Sequence, residues 1–340
     1  MHHPLEVTPP FLPPQHRRHW LRLVATTLAS WGLTPGAQAQ VPGAPRQLRI
    51  GYQKSSTLIS LLKSQGTLEK ALADQDIRVS WHEFASGQPL LEALNVGNID
   101  LSADVADTVP VFAQAAGAQL AYFARETPSP AAQAILVRDG SPLRNLADLK
   151  GKKVAVTKAA GAHYLLIAAL AKANLKFSDI QPAYLTPADG RAAFENGKVD
   201  AWVIWEPFLS AAQRQLPTRT LEGSQGLASY QRYYLTSSRF AAEHPEVLQT
   251  VYSELAKAGD WLRANPAEAA RILGPLWGNL DPAIVEQANG RRSYQVRPVQ
   301  PDGLGEQQKI ADAFFAEGLL PRAVDTRAVA TWQPEAEHVQ

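Results

Sequence analysis

Apolar positions alternate between strand spacing and helix spacing from residue 48 onward. Residues 48–52 predict a short strand, and the leucines and isoleucine within 58–62 follow at helical spacing. Residues 78–84 alternate apolar and polar side chains, residues 89–96 have a helical pattern, and residues 99–101 form the next apolar strand. Strands that alternate with helices are typical of βαβ units and of a mainly parallel sheet.

One turn pattern occurs twice, 100 residues apart. Residues 95–100 (NVGNID) are matched by residues 195–200 (ENGKVD), with a glycine after a helix and an apolar strand after the aspartate. Two similar α/β lobes are the simplest interpretation. The alternative is a chance recurrence of turn residues that are common in α/β proteins. We expect the chain to cross between the lobes within residues 123–137 and again within residues 230–238. Two such crossovers would act as a hinge and make the first lobe discontinuous.

The N-terminus predicts a signal peptide. Arg17, Arg18 and Arg22 accompany an apolar stretch at residues 21–33, and an A-x-A-like cleavage site ends at Ala39. That stretch is shorter than the about 20 apolar residues that a spanning helix needs. The Sec route and the twin-arginine route both fit these residues. The predicted divisions are a signal peptide (1–39), the first part of lobe I (46–130), lobe II (131–233), the second part of lobe I (234–334) and a tail (335–340).

Composition narrows the class of protein further. The chain has no cysteine, which excludes disulfides and a lipoprotein anchor, so we expect a periplasmic protein without direct membrane insertion. The 33 Lys and Arg nearly balance the 32 Asp and Glu, which leaves no global field to hold nucleic acid.

Sequence motifs for chemistry are missing. There is no G-x-S-x-G elbow, no phosphate-binding P-loop and no G-x-G-x-x-G fingerprint, and the four histidines after residue 39 lack metal-ligand spacing. We therefore expect a binding protein with no catalytic residues, no metal and no cofactor. Asp107 with His163 is the one titratable pair that the sequence offers to an enzyme on this scaffold.

Polar residues at the ends of predicted strands are the candidate site. Ligands of α/β sheets lie beyond the carboxyl ends of the strands. Residues 53–57, 102–108 and 157–163 each lead into a helix N-terminus, where free N–H groups suit an anion, although an ordinary cap or a solvated lysine would look the same. Trp205 is a candidate apolar wall for an alkyl tail. The candidate ligand-binding residues are Gln53, Lys54, Ser55, Ala103, Asp104, Asp107, Lys158, Gly161, Ala162, His163, Trp205, Glu206 and Tyr234.

Six segments carry a resemblance to a known family. They resemble the periplasmic aliphatic-sulfonate-binding proteins, and the resemblance continues in order from about residue 48 to residue 334. It implies a two-lobed type II periplasmic-binding fold, a sulfonate held in the interlobe cleft, and a partner ABC permease with a cytoplasmic ATPase. We expect the binding protein itself to be a monomer. The segments are residues 50–54 (IGYQK), 91–97 (LEALNVG), 112–118 (FAQAAGA), 145–153 (NLADLKGKK), 175–186 (LKFSDIQPAYLT) and 199–207 (VDAWVIWEP).

Two departures from the family pattern bear on the ligand. Residues 102–107 contain Asp104 where relatives carry a hydroxyl-rich turn, and residues 159–163 (AAGAH) have lost the serines that precede the histidine. A carboxylate beside a sulfonate is repulsive, so either Asp104 turns away or the ligand carries a cationic or hydroxyl group, as taurine does. Binders of taurine, nitrate or a sulfate ester, an exported enzyme and a membrane-receptor sensor are the alternatives.

Overall fold

The computed structural model describes residues 46–335. The predicted signal peptide, its cleavage site at Ala39 and all of the predicted tail except Glu335 lie outside these residues.

Strands and helices alternate along most of the described chain. The strands are β1 (Arg46–Gln53), β2 (Ile77–Phe84), β3 (Leu101–Ala106), β4 (Leu120–Glu126), β5 (Gln133–Arg138), β6 (Lys153–Val156), β7 (Gln181–Tyr184), β8 (Ala201–Trp205), β9 (Thr218–Gly223), β10 (Arg232–Ser237), β11 (Val296–Arg297) and β12 (Ala330–Thr331). The helices are α1 (Thr57–Gln65), α2 (Thr67–Ala73), α3 (Gly87–Asn95), α4 (Thr108–Ala115), α5 (Gly161–Lys172), α6 (Pro187–Glu195), α7 (Phe208–Gln215), α8 (Ser238–Glu243), α9 (Pro245–Ala264), α10 (Pro266–Leu276), α11 (Pro282–Gly290) and α12 (Gly305–Ala316). Four short 3₁₀ turns lie at Pro130–Ala132, Leu146–Leu149, Phe177–Asp179 and Pro301–Leu304.

The strands form two sheets with the same plan. The larger sheet has the order β11-β4-β10-β3-β1-β2, with β12 also on β4, and the smaller sheet has the order β7-β6-β8-β5-β9. In each, three strands (β1–β3 or β6–β8) are parallel neighbours, and one antiparallel strand (β10 or β5) lies between them and a further strand (β4 or β9). The prediction of two mainly parallel α/β sheets is confirmed. The inserted antiparallel strand is in each case the first strand after a crossing between the sheets.

The repeated turn has the same geometry in both sheets. Gly97 and Gly197 have φ angles of 74° and 65°, the left-handed region that favours glycine. The Asp100 carboxylate accepts the N–H of Arg49 on β1 at 2.8 Å, and the Asp200 carboxylate accepts the N–H of Lys153 on β6 at 2.8 Å. The repeat in the sequence therefore records a structural repeat, in which each aspartate fixes the start of a strand to its neighbour.

Two segments connect the sheets. Residues 127–132 lead from β4 to β5, and residues 224–231 lead from β9 back to β10. Arg232 and Tyr233, which the sequence division placed in the second lobe, pair with β3 and β4 of the larger sheet. The first lobe is defined as the larger sheet with its helices, and the second lobe as the smaller sheet with its helices. The lobe boundaries near residues 130 and 233 remain a prediction.

Two apolar cores hold these layers together. One packs β1, β3 and β10 of the larger sheet against α1, α9, α10 and α11, with Leu58, Val251 and Val285 among its buried members. The other includes Leu91 and Val109 of α3 and α4 together with the smaller sheet and α12. This second core is shared between the lobes.

Candidate functional site

Four helix N-termini lie at the facing edges of the two sheets. In the first lobe, α1 follows β1 and α4 follows β3, and these two strands are parallel neighbours. In the second lobe, α5 follows β6 and α7 follows β8, again from neighbouring parallel strands. Ser56 and Ala160, which precede α1 and α5, make no side-chain capping bond. The first-turn N–H groups of these two helices are therefore not occupied by a cap.

The lobes touch at the beginning of α5. A Cβ atom built on Gly161 would lie 2.7 Å from the Tyr230 ring and 3.0 Å from the Cβ of Ala106. Tyr230 belongs to the second crossover and has a φ angle of 49°, and its side chain is buried. A glycine is required here because any side chain would separate α5 from the end of β3. Ala162, the next residue, is fully buried in the shared core.

A buried ion network occupies the end of β3. Asp104 accepts hydrogen bonds from Arg232 and, at 2.9 Å, from Arg292. Arg292 also donates to both oxygens of Glu126, at 2.9 and 2.7 Å. Two carboxylates face two guanidinium groups, so the network carries no net formal charge. Losing one partner of such a buried pair costs about 3–5 kcal/mol, since it leaves an uncompensated charge.

Gln53 and Ser55 join this network through backbone oxygens. The Gln53 side chain donates to the Asp104 carbonyl at 3.4 Å, and the Ser55 carbonyl accepts from Arg292 at 2.8 Å. The structure thus brings Gln53, Ser55 and Asp104 together, with Asp104 inside β3 rather than after it. It also shows that the Asp104 carboxylate is directed at the two arginines.

Tyr234 lies behind the cleft. Its hydroxyl donates to Glu126 at 2.9 Å, and the residue belongs to the core beneath the larger sheet together with Ala103. Burial raises the pKa of Tyr234 well above its ordinary value. The hydroxyl therefore supports the ion network, and Ala103 contributes packing.

Sequence reasoning missed the arginines and the glutamate of this site. Arg232 sits inside an aromatic run, and Arg291 and Arg292 directly follow α11, far along the chain from the other residues. Glu126 is the last residue of β4, and the sequence marks it only as part of the first predicted crossover. The one available signal was that Glu126 and Arg232 lie within the predicted crossovers, residues 123–137 and 230–238.

Asp107 joins the second crossover to α4. Its carboxylate accepts the N–H of Thr108 at 3.1 Å and the N–H of Gln231 at 2.9 Å. Burial raises the pKa of Asp107 to about 6, and the two backbone donors and Arg232 oppose that shift. Asp107 therefore acts as a clamp between α4 and the segment that leads into β10.

Trp205 and Glu206 form the second lobe's edge of the cleft. Trp205 is 4% exposed and packs edge-on against Phe208 at 6.0 Å between ring centroids. Glu206 accepts from the N–H and the hydroxyl of Ser210, at 3.0 and 2.8 Å, and from Arg291 at 2.6 Å. Burial raises the pKa of Glu206, whereas Ser210 and Arg291 oppose the shift.

His163 is enclosed by aromatic rings. Phe177, Tyr184 and Phe314 lie 5.1, 5.5 and 4.9 Å from its ring, centroid to centroid. Nδ1 accepts the N–H of Ala159 at 3.3 Å, and Nε2 has no hydrogen-bond partner among residues 46–335. Burial lowers the pKa of His163 to about 3, with a smaller contribution from the Lys158 charge. No hydrogen bond in the described chain joins His163 to Asp107, whose acceptors are taken by backbone N–H groups.

The two candidate lysines line other surfaces. Lys54 borders a groove of about 260 Å³ between α1 and the end of α10. Lys158 is exposed and borders a groove of about 250 Å³ along α3 and α4. Each thus lies on a groove of its own rather than beside Asp104.

Residues 46–335 contain neither a membrane-spanning helix nor a cluster of metal ligands. Over residues 46–335, no helix has the length and apolar character needed to cross a membrane. The same residues contain no group of three or more His, Asp or Glu side chains that could hold a metal ion.

The two sheets, the two crossovers and the helix N-termini facing one cleft define a class, the type II periplasmic solute-binding proteins. The family described as NMT1/THI5 like matches residues 72–269. An aliphatic sulfonates-binding protein of Escherichia coli (strain K12) is 43% identical over 291 residues, covering 86% of this chain and 90% of the relative. The chain belongs to the aliphatic-sulfonate-binding protein family.

Solved structures agree with this assignment. The periplasmic aliphatic sulphonate binding protein SsuA from Escherichia coli aligns with a TM-score of 0.76 at 42% identity, over 85% of this chain and 98% of that one. The alkanesulfonate-binding protein SsuA from Xanthomonas axonopodis pv. citri, bound to MOPS, aligns with a TM-score of 0.78 at 41% identity, over 85% and 99%.

Proposed function

We propose that this protein is the periplasmic solute-binding subunit of an ABC importer and that it captures an aliphatic sulfonate between its lobes. The observation that carries the proposal is the pair of helix N-termini without a side-chain cap, α1 in the first lobe and α5 in the second, at the facing edges of the two sheets. Its role is capture and delivery without chemistry, as a monomer, with the membrane permease and its ATPase as partners.

A sulfonate suits a site made of N–H groups. It is a monoanion at every physiological pH and has three acceptor oxygens, so backbone donors and helix dipoles can hold it without a free cation. Asp104 does not oppose this, because Arg232 and Arg292 neutralise it. Loss of the serines at residues 159–162 leaves the backbone donors of α5 in place.

The tail of the ligand has a separate partner. Trp205 and the neighbouring Phe208 supply an apolar surface at the edge of the smaller sheet. The proposed pocket therefore consists of Gln53 and Ser55, the α1 and α5 N-termini with Gly161, and the Trp205–Glu206 wall. Ala103, Lys54, Lys158, His163 and Tyr234 are left out because they are buried behind the cleft or lie on other surfaces.

The engagement of Asp104 favours a plain alkyl sulfonate over a zwitterion. Its Oδ2 accepts from two arginines, and Glu206 is likewise bonded to Arg291 and Ser210. The charges of these carboxylates are already balanced by arginines, so they offer an ammonium group such as that of taurine no free counter-charge. We expect ethanesulfonate to bind more tightly than taurine.

The proposal is tested by calorimetric titration of the purified protein with methanesulfonate, ethanesulfonate, hexanesulfonate, taurine and nitrate. Trp205→Ala should weaken hexanesulfonate binding about tenfold and methanesulfonate binding less than threefold, because each buried methylene contributes about 0.8 kcal/mol. Trp261→Ala on α9 is the matched control and should leave every affinity unchanged. Equal losses of affinity for all chain lengths would show that Trp205 does not contact the tail. No measurable binding of any sulfonate would refute the ligand class.

A further inference from the structure

Arg291 joins the two lobes through three side-chain hydrogen bonds. It directly follows α11, which is anchored in the first lobe by Val285 and Ala288. Its guanidinium donates to Glu206 at 2.6 Å, to the Ser210 hydroxyl at 3.3 Å and to the Gln213 side chain at 2.8 Å. Glu206 directly follows β8, and Ser210 and Gln213 belong to α7 of the second lobe.

The contact is largely shielded from solvent. The side chain of Glu206 is 2% exposed and that of Arg291 is 26% exposed. A charge-assisted bond in this setting is stronger than one on the surface, and breaking it leaves a buried carboxylate without its cation. Opening the lobes would have to separate this pair.

Arg292, the next residue, is bonded within the first lobe. Arg292 donates to the Ser55 carbonyl at 2.8 Å and to the Thr57 hydroxyl at 3.1 Å, at the start of α1. Ser293 then bonds the first crossover, because its hydroxyl donates to the Thr127 carbonyl at 2.8 Å. Consecutive residues therefore connect the second lobe, the first lobe and the hinge.

The Glu206 end of the contact stands beside the proposed tail wall. Trp205 precedes Glu206, and both are buried. Because Arg291 bonds the residue that follows Trp205, separating the lobes would break this contact and also carry the proposed tail wall away from the first lobe.

We propose that Arg291 is a positioning residue that latches the second lobe over the bound solute and sets how long the solute is retained. The proposal rests on the proposed function for its ligand. The latch itself concerns only the two lobes, so it has a readout that does not depend on which solute binds.

The test uses stopped-flow Trp fluorescence to measure ethanesulfonate dissociation, and small-angle scattering of the solute-free protein. Arg291→Gln should raise the dissociation rate about tenfold with little change in association, since contacts formed on closure act mainly on the off-rate. Gln213→Ala removes one latch contact without altering Glu206 and should raise the rate about threefold. Arg291→Lys keeps one charged donor and should restore part of the retention.

Arg239→Gln removes the same charge from α8, where its partner Glu243 lies on the same helix, and is the matched control. Dissociation from Arg291→Gln at the control rate would overturn the latch. If no sulfonate binds at all, the proposed function fails but the latch is still tested. Solute-free Arg291→Gln should then have a larger radius of gyration than the control, and equal radii would refute it.

Discussion

At the scale of residues, buried ionisable groups fall into two kinds. Asp104, Glu126, Arg232 and Arg292 compensate one another, and their mutual bonds fix the ends of both crossovers to the first lobe. His163 is the opposite case, a buried imidazole whose neighbours are aromatic rings and whose nearest charge is a cation. A group of that kind makes stability depend on pH.

His163 should destabilise the protein in mild acid. Its pKa is about 3 in the folded protein and near 6.5 when unfolded, so the neutral form is favoured by folding. The stability that the neutral imidazole contributes is fully present above pH 6.5 and is lost as the pH falls toward 3. At pH 5, about 1.5 pH units below the unfolded-state pKa, the folded protein loses about 2 kcal/mol of stability. Urea unfolding of wild type and His163→Phe at pH 7.5 and pH 5 measures it. Wild type should lose about 2 kcal/mol more than the variant, and parallel losses would contradict the assignment.

Single residues were the least predictable part of the site. Gln53, Ser55 and Asp104 could be grouped because each follows a recognisable apolar strand. Arg292 could not be, because its partners lie 166 to 237 positions away and no local pattern marks it. The sequence also showed Asp104 only as a negative charge, whereas its effect on an anion depends on these distant arginines.

At the scale of elements, local pattern was a good guide. The turns at residues 95–100 and 195–200 predict the end of a helix and the start of a strand, because their glycine and aspartate act over only a few residues. The inserted strands β10 and β5 could not be placed from pattern. Their direction is set by where the chain re-enters a sheet after a crossover, which is a long-range property.

The close approach of α5 to β3 gives an element-scale prediction. In Gly161→Ala the new Cβ would press on Tyr230 and Ala106, and overpacking of this kind costs about 1–3 kcal/mol. Separating α5 from the cleft should relieve the clash, so solute affinity should fall about tenfold by calorimetry. Gly223→Ala, whose Cβ would meet nothing within 4 Å, is the control. An unchanged affinity in Gly161→Ala would show that α5 does not approach β3 in the bound state.

At the scale of the whole molecule, the first lobe is built from both ends of the described chain. Strands β1–β4 and β10–β12 share one sheet, so the second lobe is an insertion carried on two short crossovers. The shared core and the Arg291 contact join the lobes elsewhere. Contacts of this kind can separate without disturbing either sheet, which is the requirement for hinge motion.

Solute binding should therefore compact the protein. The conformation described here has α5 against β3 and Arg291 bonded to Glu206, which is the arrangement expected around a captured solute. Without solute, neither contact is reinforced from within the cleft, and the population should shift toward separated lobes. Small-angle scattering with saturating ethanesulfonate should give a smaller radius of gyration than chloride at equal ionic strength. Unchanged scattering alongside calorimetric proof of binding would mean that the crossovers do not act as a hinge, and the solute would then have to enter a cleft that is already closed.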